Sequence, residues 1–244
     1  MTTGPASQNL SAKDLAIQRL EAQLARASAV RKATREAGGA QVSRMRLREW
    51  QAARLARTHA DLLAHPHYAA AARFFLTDLY GPQDHGVTDE TIWRVLPLMK
   101  KGLPVAGVET VADAIELDAL SESLDADMAA VMGEQAGGAG DAAAYGGAYR
   151  QVGRRDDRIR QIELIRHLGH KLEDLTKAPL IGVALAAMRK PAQIAGLGPL
   201  QAFLERGYAA FRQMGGPRDF VETVADREET ISAALFSGDD SPLR

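Results

Sequence analysis

The chain has 244 residues, 46% hydrophobic and 25% charged, with a formal net charge of −1 and no cysteine. Those proportions exclude wholesale disorder and collagen-like repeats. The absence of cysteine excludes disulfides, thiolate catalysis and cysteine-based zinc or iron–sulfur centres. No apolar run approaches the about 18 residues that a membrane span needs, and the N-terminus lacks a charged-then-apolar leader, so the expected location is the cytoplasm, with no membrane partner.

Residues 1–10 read as a polar, disordered tail. Ser11 is placed to cap a long helix, with Asp14 near the positive end of its dipole. Leu10, Ile17, Leu20, Leu24 and Ala27 form a narrow seam along it. Such a seam suits a helical arm over 11–37 that touches one neighbour or pairs with a second copy of the chain. Gly38-Gly39 ends the arm. A second helix is expected from Gln41 to Ala64, before Pro66, and a third from Pro66 to Gly81-Pro82, with Tyr68, Ala71, Ala72, Phe75, Leu76 and Leu79 on one arc. Thr88 opens a short helix through Leu98. Residues 109–132 are amphipathic, with Val108, Val111, Ile115, Leu124, Met128 and Val131 on one side, and GEQAGGAG (133–140) is a flexible connector. Helices are then expected over Asp141–Gly153 and Arg155–Thr176, and from Pro179 to Met188, where Pro191 breaks the run. Gly198-Pro199 starts the next, on which Leu200, Phe203, Leu204, Gly207, Phe211 and Met214 share a face and Gly207 allows close helix approach. The last runs from Asp219 to Phe236, ahead of a polar, disordered tail at 237–244. Strand alternation and solenoid repeats are absent. The expected fold is all-α, an irregular orthogonal helical bundle over 41–236 with a long N-terminal helix.

Charge is unevenly laid out. Residues 1–60 hold eleven Lys/Arg against four acids, whereas 102–149 hold nine acids and no Lys or Arg. Arg154, Arg155, Arg158 and Arg160 then restore a basic stretch. Because the total is near zero and aromatics do not interleave with the cations, nucleic acid is not the expected partner. The expectation is that acidic and basic helices pack side by side.

Chemistry-bearing patterns are few. His59, His65 and His67 cluster near one helix end, and His85 lies in the loop PQDHG. Glu163, His167, His170 and Asp174 line one side of a helix, which makes His167 and His170 weak metal candidates. No H-E-x-x-H occurs, and no acid stands three residues before any histidine, as a di-iron bundle requires. G-x-S-x-G, the P-loop and G-x-G-x-x-G are also missing, so no catalytic residue is assigned. A haem or other flat apolar ligand would be sought at His59 or His67 beside Phe74, Phe75 and Tyr80. The leading expectation is a non-enzymatic protein-interaction or regulatory module, self-associating or binding a partner through 11–37 and the acidic helix 109–132. The alternatives are a small-ligand-binding bundle and, behind it, an enzyme of unrecognised type.

Three stretches stand out as distinctive: FFLTDLYGPQD (Phe74–Asp84), GRRDDRIRQIELI (Gly153–Ile165) and LGPLQAFLERGYAAFRQMGG (Leu197–Gly216). Together they resemble the signatures of an uncharacterised bacterial all-helical family over most of Gln41 to Phe236. The resemblance implies a fold type and no chemistry. Within the first stretch, Tyr80 and Asp84 flank a Gly-Pro turn that their side chains are placed to lock.

Overall fold

Ser11 and Asp14 cap each other at the start of α1 (Ala12–Glu36): the Asp14 N–H donates to Ser11 Oγ at 3.2 Å and the Ser11 N–H to Asp14 Oδ2 at 3.1 Å. This reciprocal cap satisfies donors that helix geometry leaves unpaired. The computed structural model describes residues 10–36, 40–79, 89–133, 142–178 and 180–244. Expectations placed on Gly38-Gly39, Tyr80, Gly81-Pro82, Asp84, His85, Thr88, Pro179, residues 1–9 and nearly all of the 133–140 connector lie outside them. Among the described residues every regular element is helical. After α1 come α2 (Ala40–Thr58), α3 (Ala60–Ala64), α4 (Ala69–Phe74), α5 (Asp89–Gly102), α6 (Val105–Met132) and α7 (Ala142–Val152). They are followed by α8 (Arg155–Lys177), α9 (Ile181–Ile194), α10 (Gly198–Gln213) and α11 (Pro217–Ser237). None of these helices is long and apolar enough to cross a membrane.

The acidic helix α6 is the axle of the bundle, flanked by α1, α2, α7 and α8. Ala16, Leu20, Leu24 and Ala27 of α1 pack on Val108, Ala112, Ile115 and Ala119 of α6. The seam that pointed to a second copy is therefore spent inside the chain, with Leu20 and Leu24 at 0% exposure. Likewise the acidic helix, expected to face a partner, is covered from several sides. Only its C-terminal Val131 departs from the expected apolar side and is exposed.

Basic neighbours answer the acids of α6, as the charge layout suggested. Arg19 of α1 sits 2.5 Å from Asp113 and 2.6 Å from Glu116. Arg31 pairs with Asp118, and Arg44 and Arg48 of α2 with Glu122. From α8, Arg160 reaches Glu116 at 2.8 Å and Arg154 reaches Asp127 at 2.5 Å. Burial pushes the Glu116 carboxyl up, but hydrogen bonds from Arg160 and Arg19 outweigh it and hold it below the usual range.

A second core joins α3, α4, α10 and α11 around Phe74, Phe211 and Phe220. Here Gly207 does what its place on the apolar face implied: a Cβ there would lie 2.9 Å from the Phe74 ring. Gly169 of α8 admits Val221 of α11 in the same way, at 2.5 Å from the Cβ it lacks.

Several boundaries differ from expectation. The helix expected over 41–64 is two, α2 and α3, separated at His59, whose side chain turns inward and is 6% exposed. Pro97 sits inside α5, which runs past Leu98 to Gly102. Pro191 sits inside α9, which continues to Ile194. On this exposed helix the carbonyl that Pro191 leaves without its usual donor belongs to Ala187, itself exposed, so the lost bond falls on a residue open to solvent. Finally, 237–244 is no loose tail. Asp240 pairs with Arg150 at 2.7 Å, and a 3₁₀ turn, Ser241–Leu243, buries Leu243 to 3% exposure.

Candidate ligand-binding cavity

Three helices interrupt an apolar stripe with one charged residue each. On α8, Arg158 stands where the stripe Ile162, Ile165, Gly169 extends one turn upstream. On α11, Glu228 lies between Val221, Val224 and Ile231, Leu235. On α2, Arg54 follows Leu47 by seven residues. Spacings of three, four and seven put each charge on the buried side of its helix. Tyr145 and Tyr149 of α7 join them. Gly153 at φ +66° and Arg154 at φ +55° bend the chain between α7 and α8, and Arg158 stacks on the Tyr149 ring, 4.6 Å from its centroid. A π-helical turn, Phe75–Leu79, adds Phe75 and Leu76. Arg54, Arg158, Glu228, Tyr145, Tyr149, Phe75 and Leu76 line a partly enclosed cavity of about 140 Å³.

Its polar groups differ sharply in how well they are matched. Arg54 Nη1 lies 2.5 Å from Glu228 Oε1, and His59 Nε2 lies 3.2 Å from the same oxygen. Burial pushes the Glu228 carboxyl up, but the Arg54 charge and the His59 hydrogen bond prevail and bring it down to about 2. Burial works against the Arg54 cation too, and the Glu228 charge more than restores it. Asp125 accepts from Gln51 at 3.1 Å and faces Arg48 at 3.4 Å. Tyr149 Oη and Ser232 Oγ share a hydrogen bond of 2.9 Å, and burial raises the phenol.

Arg158 is the exception. It is 6% exposed, and its hydrogen bonding amounts to a long 3.5 Å contact from Nη1 to Gln161. Nε and Nη2 are buried without a hydrogen-bond partner, and no carboxylate pairs with the guanidinium among the described residues. Arg54 Nε and His59 Nδ1 are buried and unbonded as well. In a guanidinium, Nε–H and one Nη2–H project in parallel from the same edge, the fork that grips two oxygens of a carboxylate.

The residues singled out from sequence are not brought to one place. His59 lines the cavity, but His67 is exposed at the α3–α4 turn. Phe74 belongs to the second core, 5.3 Å from the Phe203 ring, and Tyr80 lies outside the described residues. The cavity volume of about 140 Å³ is below the roughly 300–1,000 Å³ of pockets for drug-sized ligands. His167 turns to Asp113 of α6 at 3.2 Å and His170 to Glu222 of α11 at 2.8 Å, so the two rings serve different helices. Among the described residues no three potential metal ligands converge. The residues that do converge, Arg54, Arg158, Glu228, Tyr145 and Tyr149, were not singled out from sequence. Their signal was a charge standing in an apolar stripe.

An open groove of about 390 Å³ shares Arg54, Ile231 and Leu243 with the cavity and is lined also by Arg57, Arg227 and Arg244. Arg227 is well matched there, gripping both Asp61 oxygens at 2.7 Å, and Arg57 makes a 3.5 Å contact to the Leu243 carbonyl. No curated protein and no solved structure matches the chain. A family model matches residues 30–242, leaving most of α1 outside and taking in every residue that lines the cavity except Leu243. By that match the chain belongs to the family described as a domain of unknown function, DUF8198.

Proposed function

We propose that the chain is a small-ligand-binding helical protein whose ligand sits in the cavity lined by α2, α7, α8 and α11. The observation that carries this is the buried, unpaired edge of Arg158. Taking an ion out of water costs several kcal/mol, and stacking on an aromatic ring returns only about 2 kcal/mol of it. A bound partner supplies the remainder. The lining supports the same conclusion, because polar groups gather among Leu62, Phe75, Ile162, Phe220 and Leu235, an apolar wall with few fixed polar points. The interaction hypothesis has less to rest on, since the α1 seam and the acidic face of α6 are occupied within the chain.

Saturation-transfer NMR tests the proposal, using a panel of short aromatic and branched aliphatic acids, amides and amines. Ala72 lines the cavity and is 5% exposed, so Ala72→Leu fills part of it. The expected result is transfer to members of the panel with the natural protein and its loss with the filled variant. Equal transfer to both proteins, or none to either, overturns the proposal.

A further inference from the structure

Resting on that reading of the cavity, we infer that its ligand is a small organic carboxylate, a monoanion with a compact apolar body, gripped through both oxygens by the Nε/Nη2 edge of Arg158. Charge counting gives the sign and size. Of the arginines and carboxylates lining the cavity, Arg54 is matched by Glu228 and Asp125 by Arg48, which leaves the single charge of Arg158. One unmatched cation suits one negative charge. A phosphoryl dianion would lack a second cation, and an ammonium would meet like charge.

Geometry gives the headgroup. Nη1 is the nitrogen turned to Gln161, while the two unbonded nitrogens are Nε and Nη2, which share an edge. Two parallel donors on a rigid plane match a carboxylate better than a single carbonyl or hydroxyl. Tyr149, stacked on the guanidinium at 4.6 Å and tied to Ser232 at 2.9 Å, fixes that plane. Volume gives the body. A cavity of about 140 Å³ is close to the roughly 150 Å³ that accommodates a benzene ring in an apolar core, so the carboxylate carries a ring or a short branched chain.

Isothermal titration of matched pairs tests the assignment: benzoate against benzamide, 2-methylbutyrate against its amide, with phenylphosphonate and benzylamine as charge controls. The natural chain is compared with Arg158→Gln and Arg158→Lys, the fold of each checked by circular dichroism. The carboxylates are expected to bind at least about 30-fold more tightly than their amides, with the preference lost in Arg158→Gln. Arg158→Lys keeps the charge without the fork, and is expected to keep only part of the preference. If Arg158→Gln does not fold, the amide comparison in the natural chain and the lysine variant decide. Amides that bind as well as acids, or a phosphonate that binds more tightly, overturn the carboxylate assignment while leaving the cavity a ligand site. If no compound saturates the natural chain, the cavity reading itself falls.

Discussion

Along α6, carboxylates and cations answer one another pair by pair, whereas about one turn into α8 a buried cation is left without an acid. The same helix supplies both cases. Arg154 and Arg160 reach Asp127 and Glu116, while Arg158 between them meets only a glutamine and a tyrosine ring. Scarcity does not explain the difference, since the chain holds 31 acids for 30 Lys and Arg. Around α6 the pairs dock helices, and even the buried Asp113 and the largely covered Glu122 have an arginine beside them. Inside the cavity the environment is dry enough that an unmatched ion is a real cost, several kcal/mol in general. The ligand-binding proposal accounts for this contrast: a fold that matches its other charges this thoroughly and leaves its most buried α8 arginine open keeps that arginine for a bound anion.

The largest effect is expected from breaking the α1–α6 layer. Leu20 and Leu24 are fully buried, so Leu20→Asp with Leu24→Asp places two carboxylates in an apolar seam. A loss of on the order of 4 kcal/mol or more is expected in urea unfolding, with faster amide exchange along α1 and α6. Unchanged stability with an altered oligomeric mass would return α1 to the role of an arm for a second copy. Next comes the matched pair in the cavity. Glu228→Gln leaves Arg54 without its counter-charge, at a cost of about 3–5 kcal/mol. Because the Glu228 carboxyl falls from 4.5 to about 2 on folding, its contribution is full above pH about 4.5 and is lost as the pH drops through about 2. The shift corresponds to about 3 kcal/mol, so stability of the natural chain should fall across that window and that of Glu228→Gln should fall less. Parallel acid titrations of the two would rule out a native ion pair at this site.

Much of the bundle was legible because periodicity and capping are local. Ser11 caps α1, Gly207 meets Phe74, and α8, α10 and α11 begin and end within a few residues of where their prolines, glycines and apolar arcs place them. Side-by-side packing of acidic and basic helices followed from near-neutral totals and segregated runs. What the α1 seam packs on was not legible, since the same narrow stripe serves an intramolecular neighbour or a second copy equally well. Pro191 misled for a physical reason: an exposed helix tolerates one lost backbone bond and continues past it. As for the site, histidines drew attention because they carry chemistry by type, and His59 does line the cavity. Arg158 and Glu228 carry it by position. Seeing them required asking which charges fall on a buried stripe, and then which of those lack an opposite charge. The first question belongs to the sequence and the second only to the packed molecule.

The comparison is sharpest when both kinds of arginine on α8 are replaced by the same apolar residue. Arg160 is 44% exposed and paired with Glu116, so Arg160→Met should cost about 0.2–1 kcal/mol, as exposed pairs do. Arg158→Met should move the ligand-free protein the other way. It removes a buried charge with no carboxylate, and well-packed apolar replacements at such sites stabilise by about 1–4 kcal/mol. The stacking lost on Tyr149 is worth about 2 kcal/mol at most, which offsets part of that gain without reversing it. Urea midpoints at unchanged slope measure both variants. A stabilised Arg158→Met that no longer takes up carboxylates is the outcome expected of a residue kept for binding at the expense of stability. A loss of several kcal/mol would mean that the guanidinium is matched inside the fold, and the contrast between the two regions would disappear.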